Sequence, residues 1–413
     1  MGVSIDEKLV VPSPQKRPGL LSISERLRHV LTAAGIVYIL AILSLFTPPV
    51  QRNAIFMHNL KLPWGANFSR PEEFGLSPLK TVNLVLTSTD NVTLGSWFTF
   101  SEPFYRSRIR SRALNVSEAE SCIPEALRAY PTVLYLHGNA ATRVVPTRVQ
   151  IYSTFSSRVQ VNVLAIDYRG FAESAGYPTE HGVIDDALSA IKWLVQKGAK
   201  LEDILIVGHS LGAGIATQSV ERAEREFGQS FRGLVIMGGQ ASVPHQMETF
   251  VPRGIPVLRP VKLIPGGWNL LLAYTYTQLR TLDHISNVKS PVTIVHSHDD
   301  DNTPISHAVL IFDQLVSSVL GPAPPSFHTL PLSTSEEEFT ALKIKHQEYR
   351  KLRDDAVTIS RVADGAFVVN EVVRSDGVKL AFLETKYGGH GRIAAQEGVQ
   401  DILADRYNLV KPL

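Results

Sequence analysis

Ser210 lies in Gly208-His209-Ser210-Leu211-Gly212, directly after the apolar run Ile204–Val207 and directly before AGIATQSVERA, a run of good helix formers. A G-x-S-x-G pattern is short enough to arise by accident. Fixed between a strand and a helix, it describes a sharp turn that projects the serine hydroxyl at the carboxyl edge of a sheet, and both glycines remove side chains that would crowd that turn. The helix starting there adds N–H groups and partial positive charge where an oxyanion would form. The plainer alternative is an ordinary strand-to-helix turn that carries a hydroxyl.

A serine hydroxyl is a weak nucleophile until a base accepts its proton, so a histidine and an orienting acid are required, in the chain order Ser, Asp, His. SHDDDNTP follows the expected strand Val292–His296. Asp300 is the favoured acid because it stands four residues after His296 and four before Pro304; Asp299 and Asp301 are the alternatives, with loop capping or solvation as their other role. Four histidines follow, His307, His328, His346 and His390, and only His390 comes just after a late strand, in the glycine-flanked turn KYGGHGR. The oxyanion site needs the Leu211 N–H and a second donor, Asn139 or Ala140, from HGNAATR at the end of the expected strand Thr132–Leu136. His137 and His209 read as supports for these loops, as do Asp167 and Arg169 in DYRGFAES.

Short apolar β-branched runs alternating with helical periods must position these residues, which argues for an α/β fold with a mostly parallel sheet flanked by helices. The expected strands are Val82–Leu86 and Thr93–Phe100, forming an opening hairpin, then Thr132–Leu136, Val161–Ile166, Ile204–Val207, Leu234–Met237, Val292–His296 and Val378–Leu383. Ile184–Gln196 is an expected helix. Residues 244–287 read as a cap insertion over the site, with a crossover helix and ragged entry loop as the alternative. Residues 321–376 read as a surface insertion whose charged stretch Ser335–Arg353 is a solvated helix.

The chain has 413 residues, and 41 Lys and Arg nearly balance 39 Asp and Glu. That balance argues against nucleic acid as a partner. A lone Cys122 excludes an internal disulfide framework and any cysteine-built metal cluster, so apolar burial must hold the fold together.

Val30–Phe46 is an uncharged apolar run at the lower edge of the roughly 17 to 25 residues needed to cross a bilayer. Its length and late position favour an uncleaved signal anchor over a cleaved signal peptide, with a core or interfacial helix as the other alternative. Lys16, Arg17, Arg26 and Arg28 precede it, and only Arg52 and Lys61 follow closely, so a cytosolic tail (1–29), an anchor (30–46), a luminal linker (47–78) and a luminal domain (79–413) are expected. N-x-[ST] sequons at Asn67, Asn91 and Asn115 mark expected glycosylation sites on the luminal side.

With Ser210, Asp300 and His390 in place, the chain resembles the α/β-hydrolase superfamily, and within it the membrane-anchored abhydrolase domain-containing protein 12 group of lysophosphatidylserine and monoacylglycerol lipases. The resemblance runs from about Leu79 to the end and rests on LYLHGNAATR, DYRGFAESAGYPTEHGVIDDAL, GHSLGAGIAT, DHISNVKSPVTIVHSHDD and YGGHG. Ala141 and Ala172 stand where glycine is common in the group, and the acid loop carries polar Asn302 and Thr303. The resemblance implies hydrolysis of single-chain lipid esters at a membrane, in the endoplasmic reticulum, without metal or organic cofactor. A protein S-acyl thioesterase and a non-catalytic membrane scaffold are the alternatives. Arg143, Arg253 and Arg259 are candidates to read an anionic head group, against surface or helix-end roles.

Overall fold

The computed structural model describes residues 23–410 apart from 113, 252–253, 328–329 and 332, so Lys16, Arg17, Arg253 and His328 lie outside the described residues. The chain divides into two units, Met1–Val50 and Gln51–Leu413. In the first, α1 (Ile23–Ser44) is long and apolar enough to cross a membrane. It starts seven residues before the apolar run expected at Val30, so Arg26 and Arg28 fall within its first turns.

The second unit is built on a ten-stranded sheet. Its strands are β1 (Thr81–Thr87), β2 (Thr93–Thr99), β3 (Thr132–Leu136), β4 (Asn162–Ile166), β5 (Ile204–His209), β6 (Gly233–Met237), β7 (Val292–Ser297), β8 (Thr358–Val362), β9 (Phe367–Val373) and β10 (Lys379–Thr385). The spatial order is β1-β2-β4-β3-β5-β6-β7-β10-β9-β8. From β4 to β10 neighbouring strands run parallel, and the pairs at both ends are antiparallel.

The principal helices, numbered on from α1, are α2 (Pro48–Phe56), α3 (Pro146–Ser157), α4 (Glu180–Gln196), α5 (Leu211–Phe227), α6 (Val243–Thr249), α7 (Gly267–Ala273), α8 (Ser306–Leu320), α9 (Glu336–Ala356) and α10 (Glu397–Arg406). Successive strand side chains point to opposite faces, and central strands covered on both sides read as continuous apolar runs. Ile204 and Ile206 of β5 accordingly join a core with α4, α5 and α8, whereas Leu205 and Val207 join a second core with α3 and α10.

Two segments differ from expectation. Within 321–376, the charged helix is present as α9, but the remainder adds β8 and β9 to the sheet. Every residue of β8 is exposed, so its side chains carry no burial signal. From Gln51 onward the expected linker 47–78 is part of the second unit: Phe56 is fully buried, and the Trp97 Nε1–H donates to the Phe68 carbonyl at 2.9 Å. Residues 244–287 form no continuous crossover helix. They carry most of α6, a 3-10 turn at Arg259–Leu263, α7 and a short helix Thr281–Ile285.

Candidate active site

The turn between β5 and α5 is as tight as its glycines suggest. Ser210 has φ +55° and ψ −121°, a backbone conformation that non-glycine residues rarely adopt, and its N–H donates to the Met237 carbonyl at 2.9 Å. A Cβ on Gly208 would lie 2.5 Å from the Gly212 carbonyl oxygen, and one on Gly212 would lie 2.1 Å from that of Leu136. Neither position can accept a side chain without moving backbone, so the turn is locked against both its own helix and β3.

His390, in the loop after β10, meets the serine. Its Nε2 lies 2.8 Å from Ser210 Oγ, and its Nδ1 lies 2.8 Å from Asp300 Oδ2. The residues are 180 and 90 positions apart, so parallel β7 and β10 bring the two loops to one sheet edge. The other Asp300 oxygen accepts the Asn302 and Thr303 N–H groups, each at 2.9 Å. Burial works to raise the Asp300 carboxyl, but the bond to His390, the imidazole's charge and the Thr303 N–H outweigh it and hold the group below its ordinary value.

The neighbouring aspartates have different surroundings. Asp299 Oδ1 accepts the Gly389 N–H at 2.7 Å and is bonded to the Ser297 hydroxyl, so it ties the loop of His390 to the loop of Asp300. Asp301 is exposed. Of the other histidines, His307 starts α8 and bonds the Ala241 N–H and the Thr249 hydroxyl, while His346 sits on α9 against the Pro325 carbonyl.

His209 is held between β5 and the loop that carries His390. A carbonyl can only accept, so the 2.7 Å contact to the His390 carbonyl places the proton on Nε2, leaving Nδ1 to accept from the Tyr135 hydroxyl at 3.0 Å. Burial, and then the charge of His390, push His209 down to about 3, so it stays neutral.

The loop after β3 faces Ser210 closely: a Cβ on Gly138 would sit 2.9 Å from Ser210 Cβ. The Ala140 N–H is taken by the Phe56 carbonyl at 2.9 Å and the Ala141 N–H by that of Leu60 at 2.9 Å. Among the described residues, the Asn139 and Leu211 N–H groups have no protein acceptor. Asn139 is thus the donor left open of the two expected.

Arg148 orients that loop and was missed in the sequence. Its guanidinium donates to the carbonyls of Thr142, Gly138, Asn139 and Ala140 at 3.0, 3.3, 3.1 and 2.9 Å. Carbonyls gathered on one cation leave the intervening N–H groups free to face elsewhere. The available signal was a cation three and four positions before Ile151 and Tyr152, on the buried face of α3.

The buttress behind this loop is ionic. Asp167 accepts from the Arg143 backbone N–H at 2.9 Å and its Nη1 at 2.5 Å, and His137 Nε2 lies 3.3 Å away. Arg143 is fully buried and also pairs with Glu173, so it cannot read a head group. Arg169 pairs with Asp90 and Asp186.

Ser210, His390, Asn139, Arg148 and Tyr135 line a cavity of about 220 Å³. A carbonyl entering it would meet a hydroxyl with an imidazole nitrogen at hydrogen-bond distance and Asn139, whose N–H is unengaged, an arrangement suited to acyl transfer.

Residues 131–259 match the family described as the alpha/beta hydrolase fold. The chain is 28% identical over 298 residues to the lysophosphatidylserine lipase ABHD12 of Danio rerio, covering 71% of this chain and 74% of that protein. It is also 28% identical over 270 residues to protein ABHD12B of Homo sapiens, covering 64% and 69%. Among solved structures, an alpha-beta hydrolase from Vibrio vulnificus aligns at 16% identity with a TM-score of 0.50, over 87% of this chain and 94% of that one.

Proposed function

We propose that this chain, which has the α/β-hydrolase fold and resembles the lysophosphatidylserine lipases, is a membrane-bound serine hydrolase that cleaves acyl esters of lysophospholipids or monoacylglycerols. The observation that carries the reading is the hydrogen-bonded series Ser210, His390, Asp300 beside two open N–H donors.

In the proposed reaction, Ser210 Oγ attacks the ester carbonyl as His390 Nε2 takes its proton. Asp300 holds the imidazole with its Nδ1–H towards the carboxylate and stabilises the imidazolium. The Leu211 and Asn139 N–H groups bind the oxyanion. Collapse expels the glycerol oxygen, which takes the proton from His390, and water then releases the fatty acid by the same steps in reverse.

The lipid substrate is supported by the names of the relatives and by α1, which would hold the site at a bilayer. The flanking charges favour a cytosolic N-terminus and a luminal hydrolase unit, in the endoplasmic reticulum. Asn67, Asn91 and Asn115 are exposed, as glycan attachment requires.

The test is fluorophosphonate labelling of the full chain in lipid, comparing wild type with S210A and H390A. Labelling that persists in S210A sinks the assignment of the nucleophile. Turnover of a monoacylglycerol, a lysophosphatidylserine and an S-acyl peptide then decides the substrate: preference for the thioester would replace the lipase reading.

A further inference from the structure

The insertion between α6 and β7 carries a surface that the reaction above does not use. Ile255, Ile264 and Leu270 are more than half exposed, and Leu263 is 84% exposed. Val261 and Leu271 of the same stretch are buried at 4% and 1%, so the segment is anchored inward and turns its other aliphatic residues out. Large aliphatic side chains exposed together within one short stretch are a mark of an interaction site.

The residues around it narrow the partner. Tyr274 and Tyr276 are exposed at 49% and 54%, and Lys262 Nζ lies 4.6 Å from the Trp268 ring centroid. From Thr249 to Leu282 the sequence contains no Asp or Glu, whereas Arg253, Arg259, Lys262 and Arg280 are all present. Of the two flanking acids, Glu248 accepts the Trp268 Nε1–H at 3.2 Å and lies 3.6 Å from Lys262, and Asp283 lies 3.7 Å from Arg280, so the stretch keeps a positive excess. Exposed aliphatic side chains, Trp and Tyr beside them and an excess of cations over acids make up the composition of a segment lying in a membrane interface.

The covalent chain adds an independent argument. Gln51 donates to the Tyr274 carbonyl at 2.6 Å and accepts from the Tyr276 N–H at 2.9 Å. Gln51 comes seven residues after Ser44, the last residue of α1. Gln51, the first residue of the second unit and covalently close to the apolar helix, is therefore stitched to the end of this stretch.

We propose that the face carrying Ile255, Leu263, Ile264 and Leu270 sits in the head-group layer of an anionic bilayer, as a second membrane contact besides α1. The proposal rests on the membrane residence proposed above but not on the hydrolytic chemistry. The root of the insertion touches the acid loop, where Gln246 Nε2 donates to the Asn302 carbonyl at 2.8 Å. Docking of this face thus bears on the loop that carries Asp300.

The test uses the full chain in nanodiscs of phosphatidylcholine and phosphatidylserine, with the single Cys122 replaced by Ser. Nitroxide labels are placed through L263C and, as a water-exposed reference on β8, V362C. Collision with oxygen exceeding collision with a nickel chelate at position 263, and the reverse at 362, is the expected result. Nickel access at 263 equal to that at 362 overturns the proposal. In parallel, L263E/I264E is expected to lower turnover of bilayer-embedded lysolipid about tenfold while leaving a soluble short-chain ester unchanged. Unchanged turnover of the embedded lipid also overturns it. A wild type that hydrolyses neither substrate would sink the reaction, and the spin-label result would still decide the surface.

Discussion

The Nε2–H of His209 donates to the backbone carbonyl of His390 across 2.7 Å, so the residue just before Ser210 holds the loop that carries the His390 imidazole. Serine and imidazole are thereby placed from one rigid strand end. H209F keeps an aromatic ring but loses both polar contacts. It is expected to lower kcat by about ten- to a hundredfold with little change in KM, because misplacing a reacting group by an ångström costs that much. H209Q, whose amide can donate to the same carbonyl, is expected to recover part of the loss. Steady-state kinetics on one soluble ester decides this.

The three consecutive aspartates should separate sharply. D300N leaves the imidazole without its carboxylate and is expected to lose roughly 10⁴-fold in kcat, as a wrongly oriented tautomer does. D299A frees the Gly389 N–H and is expected to lose about tenfold through loop misplacement. D301A, at an exposed position, should be silent. A D301A defect larger than that of D299A would overturn the assignment.

Arg148 acts through the loop it gathers. R148M removes the fork that holds four carbonyls and is expected to reduce kcat by up to about 10²-fold, the scale of one lost oxyanion donor. R148K keeps the charge without the planar geometry and should fall between the two. Equal KM values across the three proteins would separate loop positioning from substrate binding.

Acid should destabilise the fold in a defined window. His209 and His307 are held down to about 3 and about 4, by burial first and then by the charges of His390 and His245 respectively. An unfolded histidine titrates near 6.5, so below that pH the unfolded chain takes up protons that the folded chain refuses. Their contribution is complete above about pH 6.5 and is lost as pH falls towards the folded values. Each group adds a slope of up to about 1.4 kcal/mol per pH unit. Urea unfolding at pH 7, 6 and 5 should show this loss, and H209F should flatten the slope by about one proton.

The meeting of Ser210, Asp300 and His390 was legible because each follows a buried strand, and continuous runs such as Ile204–Val207 announce themselves by composition. The strand at 358–362 was not, since β8 buries no side chain and its pairing is written only in backbone bonds. Asn139 and Ala140 could not be told apart from sequence, because the choice depends on the Phe56 carbonyl, 84 residues away. The role of Arg148 was hidden likewise, since it acts on carbonyls, which every residue possesses; His209 read as a support, but its partner, the His390 carbonyl, could not be named for the same reason.

The stitching of the oxyanion loop sets where the chain can be trimmed to obtain a water-soluble form. Phe56, Leu60 and Leu62 lend their carbonyls to Ala140, Ala141 and Thr142. A cut just after Val50 removes the greasy leader and keeps all three. A cut at 79, where the resemblance noted in the sequence begins, would remove all three carbonyls and leave Ser210 facing a loop without that support.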